Sequence, residues 1–469
     1  MTARQWRNAA AVACGSLLVV AAVTMSGSSE AATGESPPCT VVSAPPAQVT
    51  ATTLDTVEQA YYCIFAHFYG GESLDDRTLL ASAFAGFTEE LLRHGTDHPD
   101  ATMPALSGDR ADDWAAFAAV YERVTGDLPA TWHQSLAEAT LTAMVNSLRD
   151  NHATWNHDVQ PPAGYAYGLG LVTSPISKQL PEKVLPPVYA SQVYGGPAAA
   201  AGLLPGDIVE SVNGAPLFAD GVLSTGALTM LYPKYTVDDD PVRLTLRRPA
   251  TGRTWKVTLT PALFKLGGPP STTAKATPTG DVAVVKVPIF MPGAADRALA
   301  DIAKQAESTT LTGVVLDLRG NTGGSPEEVD RLLGAFAHGR ITGYECDAAG
   351  DCDAQRTDDT VPLLNLPLVE LTDGDCGSAC DHFTSAVKDL GLGPVVGART
   401  SGIVSGAAVN YLLSNNSTLF LPARHHLGPD HETIDGIGVA PDHHAPRTAR
   451  DLSTGRDPGL DKALALLAK

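Results

Sequence analysis

Asp373-Gly374-Asp375-Cys376-Gly377-Ser378-Ala379-Cys380-Asp381-His382 lies between a strand-like run, Leu366 to Leu371, and a helix-like run from about Cys380 to Leu390. Strand, small-residue turn and helix in that order fit a layered α/β core. A serine at such a turn exposes its hydroxyl at a helix N-terminus, where free N–H groups and the helix dipole favour negative charge. A nucleophile whose target becomes an oxyanion belongs there. A serine there also simply caps a helix. This window alone leaves both readings open.

Alternating β and α signals surround the turn. Val282 to Ile289 predicts a strand, Ala294 to Ala306 a helix, Gly313 to Leu318 a buried strand and Pro326 to Ala337 a helix. Short strands are expected at Pro394–Val396, Val409–Leu413 and Thr418–Leu421. The core is placed at residues 280–469. Arg319-Gly320-Asn321-Thr322-Gly323-Gly324 ends one strand and opens a helix, so its backbone can offer N–H groups to an anion. A nucleotide-phosphate loop would need a lysine and hydroxyl that are missing here.

Upstream, residues 264–279 (Gly267-Gly268-Pro269-Pro270, then Ser271-Thr272-Thr273) read as a flexible linker. Residues 165–263 form a small β-rich module, with a tight turn at Asn213-Gly214 and a hairpin from Val242–Leu246 and Trp255–Leu259. Residues 51–155 carry helical periodicity: Val57, Ala60, Tyr61 and Phe65 share one face, then Leu79, Phe84, Phe87 and Leu91, then Trp114 to Val124, then Leu136, Leu141, Met144 and Leu148. Residues 33–50 read as a Ser/Pro/Thr/Ala linker.

Residues 1–32 read as a secretory signal. Arg4 and Arg7 precede the apolar stretch Ala9 to Met25, and small residues follow to Ala31 or Ala32. A secreted protein without stable membrane insertion after cleavage is therefore expected, with an uncleaved membrane anchor as the alternative. Cys14 lies inside the apolar run, too early for a lipid-modified terminus. The six remaining cysteines allow fifteen pairings. Proximity favours Cys39–Cys63, Cys346–Cys352 and Cys376–Cys380, the last bracketing Ser378. A formal charge of −20 argues against nucleic acid and an anionic membrane surface. No metal site suggests itself, because the cysteines lack a second ligand pair at suitable spacing.

The stretch Gly202-Leu203-Leu204-Pro205-Gly206-Asp207-Ile208-Val209, closing on Val212-Asn213-Gly214, resembles a PDZ domain. That resemblance puts a carboxylate-binding loop on Gly168-Leu169-Gly170, before a strand on which an extended peptide can pair. The order of this module, Leu316-Asp317-Leu318-Arg319-Gly320-Asn321-Thr322-Gly323-Gly324, Gly377-Ser378-Ala379 and Asp435-Gly436-Ile437-Gly438-Val439-Ala440-Pro441-Asp442 resembles the C-terminal-processing, or tail-specific, serine peptidases over roughly residues 50–469. It implies an α/β (α+β multidomain) chain: a helical N-terminal region, a PDZ-like β module and a layered, ClpP/crotonase-like peptidase core.

By this resemblance Ser378 is the nucleophile, and the oxyanion hole is the N–H of Ala379 with that of Gly323 or Gly324. Many members place a basic lysine twenty-five residues after the serine. Here that position is Ile403, and Lys388, ten residues on, looks misplaced. A hydroxyl still needs a proton acceptor. The tricorn-like branch uses a histidine and a carboxylate, and these match His152, in Asp150-Asn151-His152, and Asp435. The chain order His/Ser/Asp differs from the familiar triads, which is no objection, since geometry defines a triad. His382, His425 and His426 stand in reserve as bases. The expectation is an exported serine endopeptidase that forms an acyl-enzyme on Ser378, acts on polypeptides and needs no cofactor. The alternative is a catalytically silent relative that binds peptides or hydrophobic ligands. The oligomeric state is left open.

Overall fold

A computed structural model describes residues 39–468 except 44–47, 159–160, 163–164, 175–184, 236–239 and 266–269. The expected signal segment, and most of the linker after it, lie outside the described residues.

Four helices, Leu54–His67, Asp76–Arg93, Arg110–Gly126 and His133–Asn146, make the N-terminal region. Asp75 and Asp109 cap the second and third by accepting N–H bonds from the first turn. Their periodic apolar residues form one core, in which Val57, Tyr61, Phe87, Phe117, Leu136 and Leu141 are fully buried. Truncating one of these leucines to alanine costs about 2–5 kcal/mol in such a setting. The core is completed from far along the chain. Strands Ala408–Leu412 and Thr418–Pro422 pair with Thr40–Val41 and Thr154–Asn156 in one four-stranded sheet. That sheet sends Tyr411, Leu413, Leu419 and Leu421 into the helical core. Residues 408–422 thus belong structurally with the N-terminal region rather than with the core sheet.

Residues 165–265 hold the β-rich module. Its main sheet runs Thr254–Leu259, Val242–Arg247, Ile208–Val212, Tyr189–Val193, Leu171–Ser174 in space, so among the described residues Leu171–Ser174 is an edge strand. Alternation along Val242–Arg247 buries Val242, Leu244 and Leu246 against Leu169, Val209 and Val212.

The third part is a six-stranded sheet in the order Ser271–Thr277, Gly280–Lys286, Leu311–Asp317, Leu368–Thr372, Val395–Gly397, His443–His444. All neighbours are parallel except the first pair. Residues 271–277, read as linker, form that antiparallel edge strand: their threonines are β-branched and suit a half-exposed strand as well as a loop. The inner strands are near-continuous apolar runs because both faces are covered. Helices Ala294–Ser308, Pro326–Gly334 and Ala379–Asp389 cover one face, and Pro458–Leu467 covers the other. A smaller sheet joins Cys352–Arg356, Ile341–Cys346 and His425–Leu427. The loops after two adjacent parallel strands, residues 318–325 and 373–378, lie at the carboxyl ends of those strands, where open α/β sheets place their sites.

Disulfides join Cys39–Cys63, Cys346–Cys352 and Cys376–Cys380, the pairing proximity favours. Among the described residues no helix is long and apolar enough to cross a membrane.

Candidate active site

Ser378 is the N-cap of the Ala379–Asp389 helix and adopts φ 57°, ψ −121°. A non-glycine residue held there is strained, and such strain persists only where the surroundings over-determine it. The surroundings do so on every side. The Ser378 N–H donates to the Ile403 carbonyl at 2.5 Å and to Asp381 Oδ2 at 3.1 Å. Gly377 N–H donates to the Asn321 carbonyl at 3.0 Å. The Cys376–Cys380 disulfide ties the two ends of the turn.

The loop 319–324 presses against this serine. A Cβ on Gly323 would lie 2.6 Å from Ser378 Cβ and 2.9 Å from the Ala379 nitrogen. Asn321 organises the loop from inside: fully buried, its Nδ2 donates to the Val287 carbonyl at 3.0 Å and its Oδ1 accepts the Gly323 N–H at 2.8 Å. The Gly323 N–H is therefore engaged. The N–H groups of Ala379 and Gly324 carry no hydrogen bond among the described residues. Gly324 is held in place by Phe290, which accepts from Ser325 N–H and donates to the Gly323 carbonyl, each at 2.8 Å. Arg319, at the head of the loop, is 7% exposed and bound to Asp317 and Asp457. Those two carboxylates hold the guanidinium charged, and its own role is to pin the loop to the C-terminal helix.

On the other side of Ser378 runs the loop 400–404. Its Ile403 occupies the position expected for a basic lysine, and its backbone carbonyl accepts the Ser378 N–H. Lys388 is turned to the far end of its helix, where it binds the Ala440 carbonyl at 2.6 Å and faces Asp442 at 3.5 Å. The 400–404 loop also gathers the other candidates. Asp435 Oδ1 accepts from Val404 N–H at 3.3 Å and from Asn151 Nδ2 at 2.6 Å. Asn151 Nδ2 also approaches the Gly402 carbonyl at 3.4 Å. Asn151 Oδ1 in turn meets His152 Nδ1 at 2.6 Å.

His152 is set by its neighbours in sequence. Asp150 Oδ1 accepts the N–H groups of His152 and Ala153, at 2.7 and 3.0 Å, in a turn. The next residues enter the Thr154–Asn156 strand, where Trp155 is buried and bonded to Ser417. Burial holds the His152 pKa below the ordinary histidine value, against the smaller opposing pull of Asp150 and Asp435. Among the described residues no hydrogen bond joins His152 to Asp435, or to Ser378. The structure thus brings Ser378, Ala379, Gly324, His152 and Asp435 to two loops flanking one turn, with Asn151 inserted between histidine and carboxylate.

The reserve histidines lie elsewhere. His382 and His426 are buried with their rings tilted against each other, centroids 4.6 Å apart, and desolvation lowers the pKa of both, His426 to about 4. His425 is in the small sheet, against Tyr69. Sequence reasoning missed Asn151 and Asp381. Asp381 is fully buried in the helix's first turn, and its pKa is pushed up to about 6 by burial, against the hydrogen bonds it accepts. The only sequence signal was position: one residue precedes His152, and the other sits three after Ser378.

In the module, Gly168-Leu169-Gly170 leads directly into the Leu171–Ser174 edge strand. Gly170, at φ 80°, has no room for a side chain, since a Cβ would fall 2.2 Å from the Gly195 carbonyl oxygen. The N–H groups of Leu169 and Gly170 carry no hydrogen bond among the described residues.

Comparison with known proteins bears on this arrangement. Residues 281–445 match the family model "Peptidase family S41". The chain is 28% identical over 296 residues to carboxyl-terminal-processing peptidase 2, chloroplastic, of Arabidopsis thaliana, covering 61% of this chain and 54% of that protein. It is 34% identical over 156 residues to putative tricorn protease homolog 2 of Streptomyces coelicolor, covering 33% of this chain and 13% of that one. It therefore spans about half the length of the first relative and a small part of the second. Among solved structures, mature CPAF superposes with a TM-score of 0.56 at 14% identity, over 88% of this chain and 96% of that one, a likeness of fold. The α/β core that carries Ser378 thus matches the model of peptidase family S41.

Proposed function

We propose that this chain is an exported serine endopeptidase of the tail-specific kind, acting through an acyl-enzyme on Ser378. The observation that carries the reading is the surroundings of that residue. A strained serine at a helix N-terminus stands beside the N–H groups of Ala379 and Gly324, unpaired among the described residues, and next to the loop that binds the Asp435–Asn151–His152 string. His152 takes the hydroxyl proton as Ser378 Oγ attacks the carbonyl carbon. The N–H groups of Ala379 and Gly324 receive the developing oxyanion, and the imidazolium returns its proton to the leaving amine. Water then repeats the sequence on the acyl-enzyme. Asp435, through Asn151, steadies the imidazolium. Apo hydrogen bonds between nucleophile and base are commonly long and tighten on substrate binding, so the lack of a Ser378–His152 hydrogen bond among the described residues fits this reading.

The module supplies recognition. An extended peptide adds to the Leu171–Ser174 edge, with its terminal carboxylate on the N–H groups of Leu169 and Gly170. Secretion rests on the N-terminal segment and on three disulfides, which persist in oxidising compartments. The second reading, a silent peptide-binding relative, draws on the missing lysine. Cleavage of an unfolded casein by the mature chain and by Ser378→Ala separates them. Loss of cleavage in the variant is the expected result. Equal cleavage by both removes Ser378 from the chemistry, and none by either favours the silent relative.

A further inference from the structure

The described residues hold several buried charged or thiol-derived groups that the mechanism leaves idle, and Asp381 has the most specific surroundings. It lies in the first turn of the Ala379–Asp389 helix, fully excluded from solvent. Oδ2 accepts from Ser378 N–H at 3.1 Å, from Ile403 N–H at 3.0 Å and from Ser401 Oγ at 3.4 Å. Oδ1 accepts from Gly402 N–H at 3.0 Å. Three backbone donors and a hydroxyl converge on one side chain. Only an acceptor-only group with two oxygens satisfies them, and the helix N-terminus adds favourable polarity.

The donors come from two separate pieces of the site. Ser378 is the nucleophile's own peptide. Residues 401–403 belong to the loop that binds Asn151 through the Gly402 carbonyl and Asp435 through the neighbouring Val404 N–H. That loop also binds back to the nucleophile turn, since Ser401 donates its N–H and its hydroxyl to the Cys376 carbonyl, each at 2.8 Å. It has no slack, because a Cβ on Gly402 would lie 2.4 Å from the Gly438 nitrogen.

Resting on the peptidase reading above, we propose that Asp381 is a positioning residue that locks the nucleophile turn to the 401–404 loop and so sets Ser378 in register with His152. It touches neither the scissile bond nor the proton in transit. Its effect runs through the backbone of Ser378, Gly402 and Ile403. A displacement of about 1 Å at such a joint is enough to lose about 100-fold in rate.

Asp381→Asn is the discriminating variant. It is nearly isosteric and keeps one acceptor oxygen, but it turns an amide N–H₂ toward donors that need an acceptor. With a peptide substrate, kcat is expected to fall about 100-fold while KM stays within about threefold, the pattern of a lost transition-state alignment. Hydrogen exchange of the Gly402 and Ile403 amides is expected to quicken about tenfold or more, with the helical N-terminal region unchanged. Should this variant not fold, Asp381→Glu keeps the charge and both oxygens on a longer arm, and an intermediate kcat at unchanged KM is expected. Wild-type kcat in the variant, or a fallen kcat with unchanged Gly402 and Ile403 exchange, overturns the proposal. Ser378→Ala runs alongside: if it cleaves like wild type, the peptidase reading fails and this one with it. If it is dead while the Asp381 variant is fully active, only the positioning role fails.

Discussion

Asn151 Nδ2 donates to Asp435 Oδ1 at 2.6 Å, and through that bond the carboxylate sets the tautomer of a histidine it does not touch. A carboxylate only accepts, so the amide nitrogen of Asn151 must face it and the amide oxygen must face His152. That oxygen, 2.6 Å from Nδ1, also only accepts, so the imidazole proton sits on Nδ1. Nε2 is left with its lone pair, the form a general base needs. Asn151→Ala is therefore expected to lower kcat about 100-fold, the lower range of what a positioned acid–base contributes, with little change in folding. Steady-state kinetics on a peptide substrate, with circular dichroism as the folding control, checks it. Near-normal turnover would take Asn151 out of the base's support.

The same groups fix the acid limb of the pH profile. His152 works when neutral, and burial lowers its pKa below the ordinary value, so it stays neutral into mildly acid solution. Asp381 works when charged, and burial raises its pKa to about 6. Protonation of Asp381 on descending through pH 6 should thus remove activity before His152 is fully charged. kcat/KM is expected to be flat from pH 7 to 8 and to fall below about pH 6. In Asp381→Asn the remaining low activity should fall only at lower pH. A limb centred above pH 7 would contradict both assignments.

What could be read from the sequence follows how local each feature is. The Ser378 turn, the loop 319–324 and the three disulfides are set by residues close in the chain, and the structure has them as expected. The four-stranded sheet under the helices was not legible. It pairs Thr40 with Leu412 and Thr154 with Phe420, from opposite ends of the chain, and short strands such as Ala408–Leu412 look alike whichever sheet they enter. Asn151 went unnoticed for a related reason. A histidine next to an acid in a motif suggests direct contact, and only the fold shows that Asp435 arrives one side chain short. Asp381 resembled an ordinary helix-start carboxylate until the 401–403 loop came to it from twenty residues away. The threonines at 272, 273 and 277 read as linker in the sequence because composition does not distinguish an edge strand from a loop.

Glu370 gives a stability expectation. It is fully buried on the Leu368–Thr372 strand, accepts from Thr384 Oγ1 at 2.6 Å, and its Oε2 has no partner among the described residues. Burial raises its pKa to about 8. A folded-state pKa above the unfolded value of about 4.3 means that its contribution to stability is fully present below that pH and is lost as pH rises through about 8. Glu370→Gln supplies a neutral amide at every pH. It is expected to raise stability at pH 8 by on the order of 2 kcal/mol, a few degrees in Tm, and to be neutral near pH 4.5. Thermal melts of both chains at the two pH values check this, and an equal or lower Tm at pH 8 would count against a neutral Glu370.

The Cys376–Cys380 bridge closes a short loop around the strained serine. Cross-linking five residues stabilises by about 2 kcal/mol through the unfolded chain, but its local effect should be larger on rate than on stability. The double substitution Cys376→Ala/Cys380→Ala is expected to fold and to lose about tenfold or more in kcat, because nothing else covalent holds the ends of the turn. Non-reducing peptide mapping of the wild type should recover the pair as one fragment. Wild-type kcat in the double variant would show that the hydrogen bonds of Asp381 and Ile403 suffice alone.

Gly323 is the most severe steric test of the site. Its φ of 104° strains any other residue, and an added Cβ would press Ser378 Cβ at 2.6 Å and the Ala379 nitrogen at 2.9 Å. The methyl group would stand in front of one of the two N–H groups meant for the oxyanion. Removing one such donor costs about 100-fold or more in kcat elsewhere, and backbone strain adds about 1–3 kcal/mol of destabilisation. Gly323→Ala is therefore expected to lower kcat by at least about 100-fold while the protein still folds. Gly391→Ala, on the same core at φ 63° with open space around it, separates the cost of backbone conformation from the cost of crowding the site. A large loss in the first variant and a small one in the second places the effect at the nucleophile. Equal losses in both would mean that conformation alone explains it, and that the space beside Ser378 is not where the oxyanion forms.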